Sequence, residues 1–201
     1  MYKTIIFDIG GVIIDFSEDE YVTYLAKRLR FSKRYLSSII FPLIEEMEYG
    51  RITLAQAEKE FSRGTVLPES KLYFVEAYRK LAKPNRKVIG IMRRLSANYR
   101  LGILSNMSQP RYMEARSLEV DYLVESRIVK KVVASCFVGL RKPDVRIYRL
   151  ALKKMNAKAN ETIFIDNQYE NIIGAGRVGI KGVLFTGAHK LEKDLKRLGA
   201  L

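Results

Sequence analysis

Four short clusters of polar residues carry the chemistry available to this chain. In Phe7-Asp8-Ile9-Gly10-Gly11-Val12 a carboxylate closes an apolar run. Such a carboxylate, just past a buried strand, can attack phosphorus and become an aspartyl-phosphate. The two glycines let the backbone turn tightly around a phosphate and its metal, although Asp-x-Gly-Gly alone is also an ordinary turn. In Ile103-Leu104-Ser105-Asn106 a hydroxyl and successive backbone N–H groups can hold phosphate oxygens. In Val138-Gly139-Leu140-Arg141-Lys142-Pro143-Asp144, followed by Ile147-Tyr148, Lys142 precedes a proline that ends one element and starts a helix. It would present a fixed ammonium to phosphate and to Asp8. In Phe164-Ile165-Asp166-Asn167-Gln168-Tyr169-Glu170-Asn171, Asp166 is placed to share Mg²⁺ with Asp8. That ion takes one or two protein carboxylates and completes its octahedron with water and phosphate. Glu170 and Asn171 open the next helix, where they can orient waters or Asp166.

These clusters need a scaffold that brings them together. Tyr2–Phe7 reads as a buried strand, Arg100–Leu104 as a strand ending at Ser105, and Thr162–Ile165 as one ending at Asp166. Lys131–Ser135 is a weaker strand and Lys181–Phe185 a final one. Between them Lys87–Leu95, Val145–Met155 and Asn171–Val178 carry helical spacing, and the tail around Lys190–Arg197 reads as one more helix. Alternation of this kind predicts an α/β fold with a parallel sheet. In such a sheet the C-terminal strand ends share one edge, where ligands bind, so Asp8, Ser105 and Asp166 would converge. From Phe16 to Lys83 no β-rich run appears. Tyr21, Tyr24, Leu25, Arg28 and Leu29 keep a 3–4 spacing, Thr53 to Gln56 has the form of a capping box, and Leu72–Leu81 is amphipathic before Pro84. The expectation is an all-helical insert over 16–83, with 1–15 and 84–201 forming the core.

Composition bounds the function classes. The 201 residues are 48% hydrophobic and 29% charged, which suits a folded globular chain with one good core. No apolar run approaches the ~20 residues a membrane span needs, and the N-terminal stretch reads as a strand, not a leader. A single cysteine, Cys136, suits a reducing cytoplasm. The net charge is +14, and it is uneven: residues 16–83 hold 12 Lys/Arg against 10 Asp/Glu, and the remainder holds 24 against 12. A positive field of this kind can draw in anionic substrates, or it can be only a solvated surface. Without a Cys/His module, an RNA-binding aromatic signature or a basic heptad region, it argues against nucleic acid as the partner. The expected partner is a small phosphorylated metabolite, with no membrane.

Taken in order, the four clusters resemble the four motifs of the haloacid-dehalogenase-like hydrolase superfamily. Gly10, the Gly-x-Arg-Lys-Pro-Asp run around Lys142 and the Asn-Ile after Glu170 are similar to its α-glucose-1-phosphatase-like branch and to the N-terminal phosphatase domain of bifunctional epoxide hydrolases. The resemblance spans Thr4 to about Thr186 and is loosest across the insert, where Tyr49-Gly50-Arg51-Ile52-Thr53 carries it. It implies a Rossmann-like three-layer core with a small helical cap inserted after the first strand. It also implies in-line attack by Asp8, Mg²⁺ held by Asp8, the Gly10 carbonyl oxygen and Asp166, and Ser105, the Asn106 N–H and Lys142 stabilising the transferring phosphoryl.

Two positions depart from that pattern. The family's usual acid–base Asp, two residues after the nucleophile, is Gly10 here, and such help is typically worth ~10²–10⁴-fold. Asp15 or a cap residue is the candidate substitute. Asn167 stands where many relatives carry a second Asp beside the metal ligand. Two rival readings follow: a catalytically weak relative that binds a phosphorylated ligand or a protein, and a 2-haloacid dehalogenase, which uses an equivalent Asp without a metal. Tyr49 and Arg51 are candidate cap residues facing the core. His189 and Cys136 are expected to be incidental, and Tyr73, Phe74 and Tyr78 to be packing residues.

Overall fold

The computed structural model describes residues 1–67 and 73–201. A five-stranded sheet, all parallel, forms its centre in the order β5-β4-β1-β6-β7. The middle strand β1 (Thr4–Phe7) is buried at every residue, which is why it reads as a continuous β-branched and aromatic run rather than an alternating one. It is followed by a two-residue strand β2 (Ile14–Asp15). Next, among the described residues, come four helices: α1 (Glu18–Leu29), α2 (Lys33–Glu48), α3 (Leu54–Thr65) and α4 (Tyr73–Leu81). The chain returns through β3 (Lys83–Pro84), which pairs antiparallel with β2 and so ties together the two ends of the helical stretch.

From there strands and helices alternate: α5 (Arg86–Leu95), β4 (Arg100–Ser105), α6 (Gln109–Ala115), α7 (Asp121–Glu125), β5 (Val129–Ala134), α8 (Val145–Met155), β6 (Thr162–Asp166), α9 (Tyr169–Gly176), β7 (Lys181–Leu184) and α10 (Ala188–Arg197). The expected α/β class and parallel sheet are the ones observed. Thr53 caps α3 in a reciprocal box with Gln56, as its spacing predicts. Leu72, placed at the start of the fourth helical stretch, lies outside the described residues.

The strand expected over Lys131–Ser135 begins earlier, at Val129. It is an edge strand, paired only with β4, and there Lys130 and Lys131 stay solvated and discourage pairing with another chain. Helix α2 runs through Pro42, which hid it in the sequence because proline removes one ladder hydrogen bond. Its buried face, Leu36, Ile40, Ile44 and Met47, supplies the packing that holds it. Helices α6 and α7, joined by a π-helical turn over Arg116–Val120, were not foreseen in the stretch after Ser105. Among the described residues, no helix is long and apolar enough to cross a membrane.

Candidate active site

The C-terminal ends of β1, β4 and β6 place Asp8, Ser105 and Asp166 at one edge of the sheet. Asp8 is fixed by its own backbone, which donates to Ile165 O at 2.9 Å and continues the β1–β6 pairing to the last residue. Lys142 reaches the same point from the loop before α8. Its ammonium lies 2.6 Å from Asp166 Oδ2, 2.9 Å from Asp8 Oδ1 and 3.1 Å from the Leu104 carbonyl. All three side chains are nearly or fully buried.

That arrangement has an electrostatic logic. Burial pushes the Asp8 carboxyl up to about 6; Lys142 opposes the rise, and the nearby Asp166 charge adds to it. Burial also works against the Lys142 charge, but Asp166 and Asp8 outweigh it and hold the ammonium above its usual range. Asp166 is the more fully saturated carboxylate. Its Oδ1 accepts from the Gln168 N–H at 2.8 Å, and Asn171 Nδ2 donates to both of its oxygens at 3.1 Å. Asn171 is held in turn by its carbonyl, which accepts from the Tyr148 hydroxyl at 2.7 Å.

Asn106 does something its sequence position did not reveal. Its amide clamps the Lys142 backbone from both sides: Nδ2 donates to Lys142 O at 2.9 Å, and Lys142 N donates to Oδ1 at 2.8 Å. One side chain thereby locks the loop after β4 to the loop that carries the lysine.

Of five buried side-chain oxygens without hydrogen-bond partners among the described residues, two belong to this edge of the sheet, Asp8 Oδ1 and Ser105 Oγ. Asp8 Oδ1 sits beside the ammonium as a charge pair without a well-directed hydrogen bond. Unpartnered buried polar atoms are costly, and they persist where a ligand completes them. Asp8 lines a cavity of about 390 Å³ together with Gly10, Asn106, Lys142, Asn167 and Asn171, and Ser105 directly precedes Asn106 at the end of β4. That volume lies within the range of small-molecule sites.

The opposite wall of the cavity comes from the helical stretch. Phe16 and Glu18 precede and open α1, and Phe41, Ile44, Glu45 and Glu48 lie on α2. Two arginines from later in the chain fasten this wall. Arg111 of α6 is buried, pairs with Glu18 through two contacts at 2.5 and 3.2 Å, and stacks over the rings of Tyr21 and Phe16. Arg141, the neighbour of Lys142, holds Glu48 at 2.9 Å and Glu45 at 3.2 Å. Burial raises the Glu48 carboxyl and Arg141 draws it back down, with the rise prevailing. A third fork, Arg79 to Glu114 at 2.6 and 2.7 Å, joins α4 to α6 at the surface.

Several expectations need correction. Asp15 does not face the cavity. Its carboxylate accepts from Asn85 Nδ2 at 2.7 Å, and it lines a separate depression, because the β2–β3 bridge turns it away. Asn167 makes no bond to Asp166; it packs over Gly11, whose φ of +76° leaves only 2.4 Å between an added Cβ and Asn167 Nδ2. Gly11 lines that second depression and not the main cavity. Glu170 is exposed and does not reach Asp166; the Gln168 N–H and Asn171 take that role. Tyr49 and Arg51 do not line the cavity, and Arg51 stacks on Tyr49 and pairs with Glu46. Glu18, Glu48, Arg111 and Arg141 were missed as site-forming residues. Burial pushes the Cys136 thiol up to about 11, which suits an incidental residue.

Among the described residues, no group of three or more His, Cys, Asp or Glu side chains gathers for a metal. Mg²⁺ requires only one or two carboxylates. Asp8 and Asp166, converging on one ammonium with an unpartnered oxygen between floor and cavity, fit that lower demand.

Comparison with known proteins agrees with this geometry. The chain is 26% identical to a sesquiterpene phosphatase from Aspergillus oryzae, over 98% of this chain and 96% of the relative. It is 30% identical to a glyceraldehyde 3-phosphate phosphatase from Pyrococcus abyssi, over 87% of this chain and 67% of the relative. Its fold matches a haloacid-dehalogenase-family enzyme from Bacteroides thetaiotaomicron, in complex with magnesium and inorganic phosphate, with a TM-score of 0.79. That likeness covers 92% of this chain and 94% of the other at 18% identity. The family model for haloacid dehalogenase-like hydrolases matches residues 2–179, and the chain belongs to that family.

Proposed function

We propose that this protein is a magnesium-dependent phosphohydrolase acting on a small phosphorylated metabolite, of which a sugar phosphate is one form. The observation that carries the reading is the single buried ammonium of Lys142, shared by Asp8 and Asp166 beside the unpartnered Ser105 hydroxyl. The phosphatase names of the two relatives and the magnesium and phosphate in the structural neighbour support it. In this reading residues 16–83 form a cap over a core made of 1–15 and 84–201.

Asp8 attacks phosphorus in line, its P–O bond forming as the ester P–O bond breaks, and an aspartyl-phosphate results. Lys142 stays protonated and offsets the charge gathering on the transferring oxygens, and Ser105 Oγ donates to one of them. Asn106 keeps the lysine loop in register, and Asn171 holds Asp166 in place. Mg²⁺ bound by Asp8, Asp166 and the Gly10 carbonyl would neutralise charge on the phosphoryl group and its neighbours. Gly10 offers no proton and Asp15 is turned away, so the leaving oxygen takes its proton from solvent or from a carboxyl of the α1–α2 wall such as Glu48. Esters whose leaving group has a low pKa, such as a sugar anomeric oxygen, suit such a site best. Water then cleaves the aspartyl-phosphate to release inorganic phosphate.

The test is a screen of phosphate esters, covering sugar phosphates, nucleotides and phospho-acids, with and without Mg²⁺ and with Asp8→Asn as the blank. Mg²⁺-dependent phosphate release that disappears in the variant is expected. Tight binding of phosphate esters without turnover would instead identify a ligand-binding relative, the reading that Gly10 favours. Halide release without Mg²⁺ would point to a dehalogenase.

A further inference from the structure

The two walls of the catalytic cavity differ in kind, and the difference bears on the substrate. Resting on the phosphatase reading, we propose that the α1–α2 wall selects phosphate monoesters whose organic body is neutral and partly apolar, and rejects those with a second anionic group. The phosphoryl group is drawn to the floor, where Lys142 stands. The rest of the molecule must lie against Phe41, Ile44, Glu45 and Glu48, with Glu18 at the side. Phe41 is 41% exposed, an uncovered apolar surface facing the space a substrate body would fill.

A second anion finds no free cation on this wall. Arg141 is the one cation there among the described cavity-lining residues, and both ends of its guanidinium are engaged, one by Glu48 at 2.9 Å and one by Glu45 at 3.2 Å. Glu18 is a further negative group, held by Arg111 from behind. A carboxylate entering here loses water, meets three carboxylates and gains no partner. Partial burial strengthens each of those repulsions relative to bulk water. Rejection by unpaired like charge is as effective a source of specificity as attraction. Arg141 is therefore an anion site kept closed by its two glutamates.

The experiment compares kcat/KM for glycerol phosphate and 3-phosphoglycerate, which differ by a carboxylate, with 4-nitrophenyl phosphate as an apolar reference, all with Mg²⁺. The native protein should disfavour the carboxylated ester by about tenfold or more. Glu48→Gln, and independently Glu45→Gln at the half-exposed rim, should narrow that gap severalfold by raising turnover of 3-phosphoglycerate. The rim variant keeps the test intact if the buried one does not fold. Equal kcat/KM for the two esters in the native protein, or a ratio unmoved in both variants, overturns the proposal while leaving phosphatase activity standing. No Mg²⁺-dependent turnover of any of the three esters overturns both.

Discussion

The floor and the roof of the cavity are built on opposite principles. On the floor, Asp8, Ser105 and Asp166 are the last residues, or next after the last, of three neighbouring parallel strands, and their positions follow from backbone pairing. On the roof, Glu18, Glu45 and Glu48 sit on helices whose charged anchors to the rest of the site, among the described residues, are arginine side chains. The floor is positioned by main chain and the roof by side chains. Substitutions on the floor should therefore strike the chemistry, and those on the roof should strike fit and substrate choice.

The largest effect should come from Lys142→Met. It leaves two buried carboxylates without their common cation, and breaking a buried pair in this way costs about 3–5 kcal/mol. Activity should fall by about 10³-fold or more, since in the proposed mechanism this charge stabilises the transferring phosphoryl. Urea unfolding and steady-state kinetics read the two losses. Near-native activity in a folded variant would remove the lysine from the mechanism and erase the contrast between floor and roof.

Arg111→Met comes next. The arginine is buried, but its partner Glu18 is 39% exposed on its side chain, so solvent relieves part of the loss. A destabilisation of about 2 kcal/mol is expected, below the range for a fully buried pair. The kinetic signature should be a raised KM with kcat changed far less, because Arg111 positions the roof and touches no reacting atom. A fall in kcat alone would place Arg111 with the floor.

The same contrast sets what the sequence could show. The floor was legible because chemistry at strand ends writes itself as a polar residue closing an apolar run, and a parallel sheet then brings those ends together whatever their separation. The roof was not legible. Arg111 and Glu18 stand 93 residues apart, as do Arg141 and Glu48, and no local spacing marks a pairing between elements so distant in the chain. Asp15 was misjudged for a related reason. The two-residue bridge between β2 and β3 that turns it toward Asn85 is too short to leave a periodic signal. Asn106 was read for its backbone N–H, whereas its side chain does the holding, a role visible only once the Lys142 loop lies beside it.

Gly10 and Gly11 sharpen the comparison within the floor itself, and here the expected effects are smallest. They are adjacent, yet only one needs to be glycine for backbone reasons. Gly11 has a left-handed φ of +76°, and a Cβ there would meet Asn167, so Gly11→Ala should cost about 1–2 kcal/mol. Gly10 has no such φ, and a Cβ added there meets nothing within 4 Å. Gly10→Asp should fold with its melting temperature little changed, and it places a carboxyl at the position where a proton donor is missing. Turnover of esters with poor leaving groups, such as glycerol phosphate, should then rise by about tenfold, below the ~10²–10⁴-fold typical of an evolved general acid. Turnover of 4-nitrophenyl phosphate, whose leaving group needs no proton, should hardly move. If both esters gain equally, proton donation is not what this site lacks, and the absent acid ceases to explain its choice of leaving group.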